Sequence, residues 1–383
     1  MIYFDHAASS FPKPKAVADA MYEAVTQYAA NPGRGGHVLA ERARLTVEEA
    51  RAKLAALFGA PQPKHVWFYQ NATMALNQAL FGFQFEEGDH VVTTAFEHNS
   101  VLRPLERLKR EKGINVTYVK PNEEDEITAQ ALMEACTAKT KMLALSHASN
   151  VTGAFIQIDQ LASFAKENEI TVLLDASQTA GTLPIHMEKD GIDLLAFAGH
   201  KSLLGPQGTG VLISREDYGL LPLVVGGTGS YSELPVQPDV WPDRYEAGTL
   251  NTPGIAGLAA GVDEIVKKGI ATIYEHEQEL LTLFIEETEQ IAGLRHYGPA
   301  DLAKRVAVAS FYLEGIGSHE LAIILDEHYQ IAVRAGLHCA PQTHRVLETS
   351  NSGLVRVSFG PYNTKEEVKT LVRALKEIQQ AFV

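Results

Sequence analysis

Lys201 sits in the stretch AGHKSLLGPQGTG, residues 198–210, between the apolar runs DLLAFAG and GTGVLIS. A lysine in such surroundings costs free energy unless it is paired or chemically used. Other polar residues follow further strand-like runs. Asn71 and Thr73 follow HVWFY, and Glu97 and His98 follow HVVTTAF. Asn150 follows KMLALSH, and Asp175 with Gln178 follows TVLL. Ligands of open α/β sheets sit at the carboxyl ends of the strands, so these residues are expected on one face. Singly, each has a plainer reading. Asp175 or Asn71 can cap a helix, and a lone histidine is commonly structural.

Together they fit the chemistry of pyridoxal 5'-phosphate. A lysine amine forms a Schiff base with its aldehyde, and a strand-end carboxylate keeps the pyridinium nitrogen protonated. A planar side chain such as His98 can lie against the ring. Helix-start N–H groups near Asn71–Thr73, with the Thr73 hydroxyl, suit the phosphate dianion. A nucleotide phosphate loop is the rival for GPQGTG, but there the lysine should follow the glycines, and Lys201 precedes them.

The elements that must position these residues are read from periodicity. Residues 14–30 and 39–60 have apolar positions at helical spacing, the second run closing at Gly59. Strand-like and helical runs then alternate to about residue 255, and many strands are apolar throughout. This predicts an α/β fold with a mostly parallel sheet sandwiched by helices. Beyond 255 the pattern changes to a smaller α+β domain with strands in VAVASFYL, YQIAVRAG and GLVRVSFG. Its closing helix begins with a Thr364/Glu367 capping box, and Val368, Leu371, Val372, Leu375 and Ile378 form one stripe. The expected division is a large domain over 15–255 and a small one over 256–383, joined by segment 1–14. The charged runs RLKREK and EEDE read as solvated faces.

The composition is that of a globular chain: 383 residues, 45% hydrophobic, with a formal net charge of −14. That acidity argues against nucleic-acid binding, which needs clustered positive charge. Two cysteines, Cys136 and Cys339, make no disulfide framework and suit a reducing compartment. MIYFDHAASS resembles no signal peptide, and no run is long enough to span a membrane. A cytoplasmic protein is expected, with no membrane partner and no metal site.

Along nearly its whole length the chain resembles the fold-type I, class V aminotransferase family. Within that family it is similar to the cysteine desulfurases of the sulfur-assembly (group II) branch. The motifs that carry the resemblance are YFDHAASSFPKP, GRGGHVLAERA, FEHNSVLRP, LDASQTAG, GHKSLLGPQGTG, YEAGTLNTPG, VRAGLHCAP and VRVSFGPYNT. The resemblance implies that Lys201 holds the cofactor, Asp175 pairs with the ring nitrogen and Gln178 bonds the phenolic oxygen. It implies that His98 stacks on the ring and moves protons, and that Ala72, Thr73 and His200 contact the phosphate. Thr249 would reach the phosphate of a partner subunit, which makes the protein a homodimer. Asn150 would lie near the cofactor ring or the substrate carboxylate, Ala7 and Arg334 would contact the substrate, and Arg356 would clamp its carboxylate, for which a guanidinium fork is suited.

Cys339 decides the reaction that the resemblance implies. It would take the sulfur of L-cysteine as a persulfide, release alanine and pass the sulfur to an acceptor protein. Arg334, His338, His344 and Arg345 stand near it in sequence, and positive neighbours favour a thiolate. Cys136 reads as a small hydrophobe. Three departures stand out. Ala198 replaces a usual phosphate-binding Ser or Thr, with Ser202 or Thr228 as candidate substitutes. Leu337-His338 replaces His-His, and the loop after Cys339 differs. Two other readings stay open: a selenocysteine lyase or other class V lyase or aminotransferase, and a weakly catalytic sulfur-relay protein.

Overall fold

The structure is a computed structural model that describes residues 1–33 and 36–382; Arg34 and Gly35 of the GRGGHVLAERA motif lie outside the described residues. The chain opens with β1 (Ile2–Tyr3) and two helices, α1 (Lys15–Gln27) and α2 (Val38–Phe58). Gly59 ends α2 in the left-handed conformation (φ 66°) that glycine adopts without steric cost. Strand–helix alternation follows as β2 (Val66–Tyr69), α3 (Ala72–Gly82), β3 (His90–Thr94), α4 (Asn99–Lys112) and β4 (Asn115–Val119). It continues as α5 (Ala129–Glu134), β5 (Thr140–Ser146), α6 (Ala162–Glu167), β6 (Thr171–Asp175), β7 (Leu194–Ala198) and β8 (Gly210–Ser214).

These strands form one seven-stranded sheet in the order β2-β8-β7-β6-β5-β3-β4. Every neighbouring pair is parallel except the two made by β8, which runs antiparallel to β2 and β7. All residues of β3, β6, β7 and β8 are buried, as their apolar runs predict for strands covered on both faces. One layer packs Leu54, Phe58 and Leu161 against the sheet, and the other packs Leu76, Leu80, Val101 and Leu105.

Then come α7 (Thr252–Lys268), α8 (Ile270–Thr288), β9 (Leu294–Tyr297), β10 (Val308–Leu313), α9 (Ser318–Tyr329), β11 (Ile331–Ala332) and β12 (Arg334–Gly336). The chain ends with α10 (Pro341–Val346), β13 (Leu354–Ser358) and α11 (Lys365–Phe382). An antiparallel sheet of order β12-β13-β10-β9 carries α8 and α11 on one face. The Thr364/Glu367 box forms as predicted: the Thr364 N–H donates to Glu367 Oε2 (2.9 Å), and the Glu367 N–H donates to Thr364 Oγ1 (3.2 Å). The predicted strand YQIAVRAG is instead two short strands. β11 pairs with β1, whereas β12 pairs with β13. The N-terminal segment reaches across from β1, and Asp5 bridges to Ser358.

Candidate active site

The carboxyl ends of β5, β6 and β7 and the starts of α3 and α4 surround a cavity of about 240 Å³. Its walls include Ala72, Thr73, His98, Asn150, Asp175, Gln178, His200 and Lys201 from the large-sheet side. Ala7 from the N-terminal segment, Arg334 and Arg356 from the antiparallel sheet, and Cys339 from the turn after β12 close it. Of the predicted site residues only Thr249 is absent from this wall. It is exposed, and Asn31 Nδ2 donates to its hydroxyl at 3.1 Å.

The start of α3 is built for an anion. Asn71 caps the helix by accepting from the Met74 N–H at 3.0 Å, which leaves the first N–H groups facing outward. Gly210 lets β8 pass beneath: a Cβ there would lie 2.1 Å from the Asn71 carbonyl carbon. On the opposite wall Asp175 is buried, and its Oδ1 accepts from the Ser177 N–H at 2.9 Å.

Burial pushes the Lys201 amine down to about 8; Asp175 opposes the shift, and Arg356 and Arg334 add to it. Burial, with the Lys201 charge second, holds His98 at about 4. Burial, then Lys201 and Lys13, does the same to His200. Both imidazoles are therefore neutral at pH 7. Lys13 donates to Ser10 Oγ and to the His200 carbonyl, each at 2.7 Å, and so pins the N-terminal segment on the lysine turn.

Arg334 and Arg356 face each other across the β12–β13 pair. Arg356 is 1% exposed, donates to Asp5 Oδ1 (2.7 Å) and to the Asn150 carbonyl (2.9 Å), and keeps a buried Nε without a partner. Two guanidiniums against one carboxylate leave a surplus positive charge at the cavity wall, which suits a small carboxylate ligand.

Cys339 is exposed, and it lines both this cavity and an outer groove that contains Asn77, Phe81, Arg103 and Arg107. His338 and Cys339 have φ of 50° and 58°, a tight turn that non-glycine residues seldom adopt. Asn150 Nδ2 donates to the His338 carbonyl (2.7 Å), and the Asn99 N–H donates to the Cys339 carbonyl (2.8 Å). The expected cluster of positive neighbours is smaller than the sequence implied. His338 and His344 are buried and stacked on each other; burial holds His338 at about 2 and also lowers His344, so neither carries charge at neutral pH. Arg345 points to solvent, and Arg334 Nη2 is the cation that reaches Sγ, at 3.9 Å. Cys136 is half-buried, and its thiol donates to the Leu132 carbonyl.

Neither Ser202 nor Thr228 lines the cavity within this chain. Besides Thr73, the hydroxyls that line it belong to Ser100, Ser146 and Ser177, which the sequence reading did not single out. Ser177, between Asp175 and Gln178, could have been found from that spacing. Asp5, the partner of Arg356, had no local signal at all.

The residues fit pyridoxal phosphate. Asn150 Oδ1, Ser177 Oγ and His200 Nδ1 are buried without hydrogen-bond partners, although such groups are normally satisfied. All three belong to residues of the cavity wall, as do the lysine, the carboxylate and the helix start that the cofactor needs.

Residues 2–371 match the aminotransferase class-V family. A "probable cysteine desulfurase" of Pyrococcus abyssi is 37% identical over 99% of this chain and 94% of its own length. One of Methanothermobacter thermautotrophicus is 35% identical over 98% of this chain and 94% of its own length. Among solved structures, the apo cysteine desulfurase of Thermococcus onnurineus superposes with a TM-score of 0.93 at 35% identity, over 99% of this chain and 95% of that one. The cysteine desulfurase CsdA of Escherichia coli gives 0.90 at 28% identity, over 100% and 95%. With a lysine, a buried carboxylate and a neutral histidine gathered at the carboxyl edge of the large sheet, and with relatives of this kind over its full length, the chain belongs to the aminotransferase class-V family, whose members use pyridoxal phosphate.

Proposed function

We propose that the protein is a cysteine desulfurase that converts L-cysteine and the Cys339 thiol into L-alanine and a Cys339 persulfide. The observation that carries this reading is that Lys201 and Cys339 share one cavity, with the Arg334–Arg356 pair beside them. Pyridoxal phosphate, when bound, supplies an electron sink next to the substrate Cα. Lys201, Asp175, Gln178, His200 and the α3 start with Ala72 and Thr73 would hold it. Arg356 and Arg334 bind the substrate carboxylate, and Asn150 and Ala7 bound the same space. Lys201 Nζ takes the proton at Cα, for which its lowered basicity suits it. Cys339 Sγ attacks the substrate sulfur. The S–S bond forms as the Cβ–S bond breaks, and the electron pair left on carbon takes a proton to give alanine. His98, neutral and beside Lys201, is placed to handle that proton.

The finer points of this reading are a sulfur-assembly (group II) enzyme, a cytoplasmic location, a protein acceptor for the persulfide and a homodimer in which Thr249 completes the partner's phosphate site. The position of Cys339 between cavity and outer groove supports the transfer step. The test is turnover of L-cysteine with persulfide mapping. Alanine and sulfur should appear in equal amounts, with the persulfide on Cys339, and Cys339→Ala should abolish sulfur release while leaving the cofactor spectrum intact. Undiminished release by Cys339→Ala, or selenocysteine turnover indifferent to it, would overturn the reading.

A further inference from the structure

Ser100 lies two residues beyond His98, in the first turn of α4, and both line the cavity. His98 Nδ1 is 3.1 Å from the Ser100 backbone nitrogen and 2.9 Å from Ser100 Oγ. A backbone N–H can only donate, so Nδ1 carries no proton. The 2.9 Å contact must then run from the Ser100 hydroxyl to Nδ1. Ser100 Oγ is also 2.8 Å from Thr73 Oγ1, and with its own proton committed it accepts there. The chain therefore has one direction, from the Thr73 O–H to the Ser100 O–H to His98 Nδ1. The single proton of the neutral imidazole is left on Nε2.

We propose that Ser100 is a positioning residue for the reaction: its hydroxyl and N–H hold His98 as the Nε2–H tautomer, a hydrogen-bond donor toward the cavity, with Thr73 completing the chain. The role in catalysis rests on the desulfurase reading; the tautomer does not. With the Thr73 proton directed at Ser100, the anion cradle of α3 consists of its N–H groups. The charged groups that face His98 are Lys201 after β7, Asp175 at the end of β6, Arg334 on β12 and Arg103 on α4. Their charges bias protonation of the whole ring, whereas the Ser100 contacts act on Nδ1 alone.

The test is long-range proton–nitrogen NMR on the full-length holoenzyme labelled with ¹⁵N-histidine, the His98 signal being assigned by its loss in His98→Gln. Wild type should show the Nε2–H tautomer. Ser100→Ala keeps the backbone N–H and with it the Nε2–H tautomer, but should raise the His98 titration midpoint by about one pH unit, the size expected for one lost hydrogen bond. Ser100→Thr should restore the wild-type spectrum. In turnover, Ser100→Ala should lower kcat while KM for L-cysteine stays within about twofold, because hydrogen-bond donation matters most as charge develops. A wild-type His98 protonated on Nδ1 overturns the inference without any variant. So does a Ser100→Ala protein whose His98 titration midpoint is unchanged. An Nε2–H signal in a protein that leaves L-cysteine untouched would instead sink the desulfurase reading and spare the tautomer.

Discussion

At the residue scale, burial decides which side chains carry charge. The Lys201 amine is held at about 8, below the ordinary lysine value, so its nucleophilic neutral form predominates above about pH 8. Reductive methylation of the cofactor-free protein by formaldehyde, read by peptide mass, should therefore label Lys201 with a midpoint near pH 8. Ordinary exposed lysines should follow about two units higher; a Lys201 midpoint of about 10 would contradict the buried environment. Arg356 is the second residue-scale case. Two of its nitrogens hold Asp5 and the Asn150 carbonyl, so the carboxylate ligand meets a guanidinium already fixed in place. Arg356→Lys keeps the charge and loses the fork. It should raise KM for L-cysteine about 10- to 100-fold, the equivalent of one charge-assisted hydrogen bond, with a smaller effect on kcat. An unchanged KM would remove Arg356 from the substrate site. The roles expected of His338 and His344 show what sequence proximity leaves out. Both stand near Cys339 in the chain, yet both are packed away from water as uncharged rings.

At the element scale, the cavity exists because loops at strand ends can approach the first turns of α3 and α4. The close passage of β8 under Asn71 is the tightest example. Gly210→Ala would place a methyl group against backbone, where nothing flexible can yield. It should cost about 1–3 kcal/mol in urea unfolding and weaken retention of the cofactor, since it displaces the α3 cap. A variant with unchanged stability and unchanged cofactor retention would contradict this packing. The helices that bury an apolar stripe were legible from spacing, as were their stops. α2 ends at Gly59, and α11 begins at the Thr364 box. The split of YQIAVRAG into β11 and β12 was not legible, because β11 follows its partner β1, which lies more than 300 residues away in sequence.

At the scale of the whole molecule, the two sheets share the site between them. The large sheet brings Lys201 and Asp175, and the antiparallel sheet with the turn after β12 brings Arg334, Arg356 and Cys339. We propose that the division between the two bodies falls after α7, near Gly269. The reason is that Ile255, Leu258 and Val262 pack in the same core as Phe58 and Phe197 of the large sheet. The segment before α7 carries exposed apolar side chains, among them Val225 (67%) and Val236 (68%), in a stretch without helix or strand. The same segment leads to the exposed Thr249. We propose that in a dimer this strap packs on the second subunit. Val225→Asp with Val236→Asp should therefore shift sedimentation from dimer to monomer and loosen the cofactor. A double variant that remains dimeric with full cofactor would place the interface elsewhere.

The sequence by itself determined the alternation of strands and helices, the strand-end positions of Lys201, Asp175 and His98, and the special standing of Cys339. Those features are local: they follow from periodicity, from turn residues and from what a lysine or a thiol costs in a given stretch. The tertiary structure decided what depends on separate segments meeting. It put Asp5 on Arg356, buried the His338–His344 pair, and aligned Thr73, Ser100 and His98 into a hydrogen-bonded chain. Protonation states and hydrogen-bond direction are set by burial and by neighbours in space. No spacing within one strand or helix encodes them.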